Sequence, residues 1–278
     1  MVAQLTGAVV RAFLVAVLVA WPCLMLPTVS SDTTQIVLLV ALLAGLLVFV
    51  EYKAKNPSIV EFRFASPYNR IRFASVAFAV LLLSSIARGM TDPSSWSILL
   101  TALGRTIGSA LDFPYSPVRL ALLALPGQTT LETADLLRIA AGICYGLSMV
   151  TIIVFVAIVR IWGWPVRKGA FNVWLNLPLF DPTTGGDVVQ RLNREASINV
   201  SLGFLLPFLL PAVAVLAMDL TGRSPTVTPQ TLIWTTCVWA FLPAGMIMRG
   251  VAMHRVGELI TAKRRRAYAK AEDGLQTA

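Results

Sequence analysis

The stretch 35–51 reads QIVLLVALLAGLLVFVE, with no charged residue before its last position. Five other stretches share its character, at about 8–29, 70–90, 136–162, 198–219 and 231–252. Each approaches the roughly 20 apolar residues that cross a hydrocarbon core about 30 Å thick. Lipid offers no hydrogen-bond partner to the backbone, so each must be helical. Composition separates this reading from a soluble protein with buried helices. The chain is 56% hydrophobic and 13% charged, where soluble domains carry about 25% charged residues. The expectation is an all-α integral membrane protein, a six-transmembrane-helix bundle over 1–262 with a basic tail at 263–278.

The net charge of +9 would suggest nucleic acid in a soluble protein. The placement of the cations points to a membrane surface instead, and no nucleic-acid partner is expected. With the N-terminus inside, only Arg88, Arg105, Arg119, Arg138 and Arg223 of the 23 Lys and Arg fall in outer segments. The positive-inside rule then places both termini in the cytoplasm. Arg11 precedes the apolar run 12–26, which reads as an uncleaved first helix. Arg outnumbers Lys 18 to 5 in an Ala-, Leu- and Val-rich chain. This composition fits a GC-rich bacterium and hence a cytoplasmic membrane.

Segment 91–135, on the expected outer side, carries Trp96, Leu99, Leu100, Leu103, Ile107 and Leu111 at helical spacing. Asp92, Pro93 and Ser94 mark its start. A double-proline turn at 112–117 and a short apolar piece, 118–125, follow. The element 95–125 is either an interfacial amphipathic helix or a re-entrant hairpin. Residues 129–136 read as a capped run into the fourth span.

Two inner loops echo one another. FASPYNR at 64–70 leads to Ala74 and Ser75; LFDP at 179–182 leads to Asn193, Arg194, Ala196 and Ser197. A parallel internal repeat would explain the echo. In the first loop Ser66 is positioned to cap the third span, with Pro67 at its first helical position. In the second, a turn over 181–186 precedes Asp187, a candidate N-cap. Arg63, Tyr68, Asn69, Arg70, Asp181, Asn193 and Arg194 form a candidate cytoplasmic docking surface. Arg264, Arg265 and Arg266 are expected on anionic headgroups.

Gly142 and Gly146 sit four apart, a spacing that lets another helix approach closely. Pro207 and Pro211 break the fifth span and Pro243, beside Gly245, the sixth. Such breaks line transport sites in some proteins and are repaired by neighbours in others. The middles of all six spans lack Asp, Glu, Lys and Arg. No carboxylate relay and no counter-ion pair is visible, which weighs against a proton-coupled pump.

Cys23, Cys144 and Cys237 lie far apart in apolar stretches, and His254 is the only histidine. That set supports neither a zinc site nor a disulfide framework, and no cofactor is expected. The chain has no H-E-x-x-H, P-loop or G-x-S-x-G motif. The reading favours a non-catalytic subunit or assembly factor that binds other membrane proteins. A transporter or permease for a small or lipid-like solute is the alternative. An interfacial lipid enzyme would have to use Asp181, Asp187 and Glu195, the only clustered acids.

Overall fold

A computed structural model describes residues 2–27, 29–127, 129–165, 172–181, 185–221 and 227–276. Arg167, Lys168, the 182–184 part of the expected turn and Arg223 lie outside them. The described residues form helices and connecting loops, with no strand among them. Six helices are long and apolar enough to cross a membrane. They are α1 (Val2–Met25), α2 (Ser31–Lys53), α3 (Tyr68–Gly89), α6 (Leu131–Ile161), α8 (Val188–Thr221) and α9 (Pro229–Gln276). Two shorter helices, α4 (Ser95–Leu111) and α5 (Pro117–Leu123), precede α6, and one turn, α7 (Val173–Asn176), follows it.

α3, α6 and α9 pack mutually and form the centre. The buried faces of these three dominate a core that includes Val80, Leu83, Ile139, Ala140, Cys144, Ile233 and Ala240. The remaining helices are appended in pairs or singly. α2 packs on α1, which lies against α3; α4 and α5 lie on α6; α8 lies along α9. The leucines and valines of α2 are largely exposed, as a lipid-facing helix requires.

Small residues set the close approaches. A Cβ on Gly142 would come within 2.5 Å of the Gly108 Cα, and one on Gly108 within 2.7 Å of the Arg138 carbonyl oxygen. Gly104 meets Ile139 in the same way. The 142–146 face therefore packs against a second four-residue glycine spacing, Gly104 and Gly108 on α4. The bulky stripe of the amphipathic pattern does not make this contact. Trp96, Leu99, Leu103 and Ile107 are exposed, while Ser97, Leu100, Gly104 and Gly108 are buried. The narrow face is the one that can approach α6, and the bulky face is left for an apolar surround. Ser94 does cap α4, in a capping box with Ser97.

The prolines do not break their helices, which corrects the reading of the fifth and sixth spans as broken. α8 runs unbroken through Pro207 and Pro211, and α9 through Pro243. Pro211 has no N–H for the Pro207 carbonyl one turn earlier. The buried indole Nε1–H of Trp239 donates to that carbonyl instead, at 3.0 Å. Along the same seam a Cβ on Gly203 would meet the Pro243 carbonyl oxygen, and one on Gly250 the Ala196 carbonyl oxygen, each at 2.6 Å. Pro243, Gly250 and Gly257 recur every seven residues, opposite Ala196 and Gly203.

Candidate functional site

The two echoing loops meet. The Phe62 N–H donates to the Asn176 carbonyl at 2.6 Å, and the Phe64 N–H to the Asn176 Oδ1 at 3.2 Å. Phe62, Tyr68, Phe155 and Trp164 form one buried ring cluster, with neighbouring centroids 4.6 to 6.2 Å apart. The Trp164 indole donates to the Ala65 carbonyl. Phe62 adopts a φ of 52°, a conformation a bulky residue keeps only when its surroundings over-determine it. That packing fixes the neighbouring residue, Glu61.

Glu61 is buried and pairs with Arg249 of α9 in a two-pronged contact. Arg249 Nε lies 2.7 Å from Oε2 and an η nitrogen 2.9 Å from Oε1. Glu195 of α8 lies 3.6 Å from the same guanidinium. The pair stands at a span end, outside the span middles to which the expectation of no counter-ion pair applied. Its acid comes from the 54–67 connection rather than from a span, so a search of the spans alone misses it. The available signal was an acid flanked by apolar and aromatic residues, Ile59-Val60-Glu61-Phe62, and a cation inside Met248-Arg249-Gly250.

The pair stands at the end of an open cleft of about 700 Å³ between α1, α3, α6 and α9. Tyr68, Asn69 and Arg72 of α3 share that polar end. Asn69 donates to the Glu61 carbonyl at 2.7 Å. Arg72 stacks over the Tyr68 ring and rests against Gly245, where a Cβ would meet its guanidinium at 3.2 Å. Away from the charges the walls are Leu18, Val76, Trp234, Val238 and Phe241. From Arg249 to Trp234 the cleft follows α9 for about 22 Å, at 1.5 Å per residue. One end can hold an anion and the rest an apolar chain.

Among the residues singled out in the sequence, Tyr68, Asn69, Cys237 and Gly245 line this cleft. Pro211 lines a separate apolar cavity of about 540 Å³ between α5, α6, α8 and α9. Pro207 and Pro243 lie in the α8–α9 seam. The seven docking residues are not one exposed patch. Tyr68 is buried. Arg63 is occupied at the end of α2, donating to the carbonyls of Glu51 and Ala54. The Asp181 carbonyl accepts from Arg191, and Asn193 faces His254. Arg70 and Arg194 are exposed. Ser66 makes no cap to α3; Pro67 stands at the N-cap with no side-chain bond, so that expectation fails. Asp187 pairs with Arg264 and accepts from the Val189 N–H, as a cap would. Arg265 and Arg266 are exposed on α9. Asp187 and Glu195 thus face different arginines. Among the described residues no three His, Cys, Asp or Glu side chains converge as a metal site would need. Cys144 and Cys237, far apart in sequence, bring their sulfurs to 3.9 Å within the core.

The chain matches no protein-family model, no curated protein and no solved structure.

Proposed function

We propose that the protein is a non-catalytic carrier, a transporter or permease, for a lipid-like anionic solute held in the cleft beside α3. The observation that carries this reading is the cleft's polarity. Arg72 and the Glu61–Arg249 pair stand at one end, and an apolar channel leads away from them. An amphiphile satisfies both parts at once, burying its chain and pairing its headgroup. The setting is a bacterial cytoplasmic membrane, both termini in the cytoplasm and α4 on the outer face. The uneven distribution of Lys and Arg supports that orientation.

The test is identification of co-purified amphiphiles by native mass spectrometry from mild detergent. A bound anionic amphiphile is expected in the parent protein. It should be lost on Val76→Trp, which fills the cleft, and kept on Leu43→Trp, on the exposed face of α2. A protein that elutes empty, or two variants that behave alike, would remove this reading.

The second reading is a subunit or assembly factor binding other membrane proteins. It is favoured by α9, which continues to Gln276 and exposes the side chains of residues 263–272. Co-purification of a stoichiometric membrane partner, lost when the chain is truncated after Ala262, would support it over the carrier.

A further inference from the structure

We propose that the cleft and a second groove beside it form one site for a two-chain anionic phospholipid seated astride α3. This rests on the reading of the cleft as an amphiphile site and names its ligand. The second groove, of about 780 Å³, lies between the α1–α2 hairpin and α3. Val10, Leu14, Val15 and Val48 make its apolar wall, and Arg11, Tyr52 and Arg70 its polar end. Val60, Asn69 and Phe73 line both spaces. Only the first turns of α3 therefore divide them.

The charges repeat this division. Residues two apart on a helix face different sides. Arg70 accordingly lines the groove and Arg72 the cleft. Among the described residues neither is ion-paired, whereas Arg249 at the same level is held by Glu61. With Glu61 neutralised by Arg249, the field over the start of α3 is positive on both sides. Guanidinium groups pair with phosphate through charge-assisted bonds of fixed geometry. A phosphodiester over Asn69 can meet both long side chains, and its two acyl chains then descend on either side of Phe73. A one-chain anion would fill one space and leave the other cation unmatched.

The experiment uses the full-length protein in nanodiscs of equal parts phosphatidylglycerol and phosphatidylcholine, with retained lipid counted by native mass spectrometry. Phosphatidylglycerol should be retained over phosphatidylcholine by at least tenfold. The Arg70→Gln, Arg72→Gln double variant should erase that preference and the matching double Lys variant should keep most of it. Val15→Trp, which fills only the groove, should lower retention to the level of lysophosphatidylglycerol. Lysophosphatidylglycerol retained as well as its two-chain parent would overturn the shared site while leaving the one-chain cleft reading intact. Equal retention of phosphatidylcholine, or full selectivity in the double Gln variant, would overturn the arginine assignment. Retention of no amphiphile would remove both this inference and the carrier reading.

Discussion

A carbonyl stripped of its helical partner is costly where no water reaches it, and the Pro207 carbonyl is such a group. The Trp239 indole answers it at 3.0 Å, so Trp239→Phe leaves it unsatisfied, a loss of about 1–3 kcal/mol. In a Pro211→Ala background the restored Ala N–H takes the same carbonyl, and Trp239→Phe should then cost clearly less. A double-mutant cycle of unfolding in detergent reads that coupling; equal costs in both backgrounds would show that the indole only fills space. At Asp187 the controlling variable is pH. The hydrogen bond from Arg264 holds its carboxyl below the usual carboxylate range. A depressed acid stabilises the folded state above its unfolded value, near 3.9, and loses that contribution as pH falls through its folded value. Hydrogen exchange over 258–276 should therefore be unchanged between pH 7 and pH 5 after correction for intrinsic rate, and accelerate below about pH 4. Asp187→Asn should show the faster exchange already at pH 7.

Helix length and apolar content are local properties, and the six helices long and apolar enough to cross a membrane were legible from them within several residues at most ends. Pairing between helices is not local. The sequence marked Gly142, but its partner Gly108 was hidden, because the periodicity of α4 draws the eye to its bulky stripe. Glu61 and Arg249 are 188 residues apart, and no window on the chain contains both. The prolines were read as breaks because the residue that repairs one of them, Trp239, lies on another helix. The connections that carry the echo touch at Phe64 and Asn176, and the helices they lead into differ in place. α3 is central, whereas α8 lies to one side, along α9 and against α5. The two marked glycines also differ in weight, which an element-level test can resolve. A Cβ at 142 strikes the α4 backbone, whereas at 146 its neighbours are the Leu111 and Ile107 side chains at 3.6 and 3.8 Å. Gly142→Ala should destabilise by about 1–3 kcal/mol through overpacking. Gly146→Ala should be neutral or stabilising by up to about 1 kcal/mol, since Ala favours helix. Thermal unfolding of the two variants side by side decides it; equal losses would mean that α4 can shift along α6.

At the scale of the whole molecule, the two ends of the bundle treat their cations differently. At the end shared by the close of α3 and the start of α6, Arg88 pairs with Asp92, Arg105 with Asp135, and Arg119 and Arg138 with the buried Asp112. The last three pairs tie α4, α5 and α6 together, and three aspartates offset most of the charge of the four arginines. At the opposite end Arg70, Arg72, Arg194, Arg265 and Arg266 are exposed and outside every ion pair among the described residues. The imbalance in uncompensated charge is thus sharper than the count of Lys and Arg alone, and it is such charge that anionic headgroups meet. Six crossings would put the start of α1 and the end of α9 on one side, with the start of α6 on the other. The three native cysteines are buried, which leaves a quiet background for single-cysteine labelling. Leu131→Cys, at a position 91% exposed at the start of α6, should react with a membrane-impermeant maleimide on intact cells. Tyr268→Cys, at a position 68% exposed on the tail of α9, should react only after permeabilisation. The reverse pattern would invert the orientation and move the amphiphile cleft to the outer leaflet. Labelling of both positions on intact cells would mean that α6, α8 and α9 do not all cross, and the six-span bundle would fail with them.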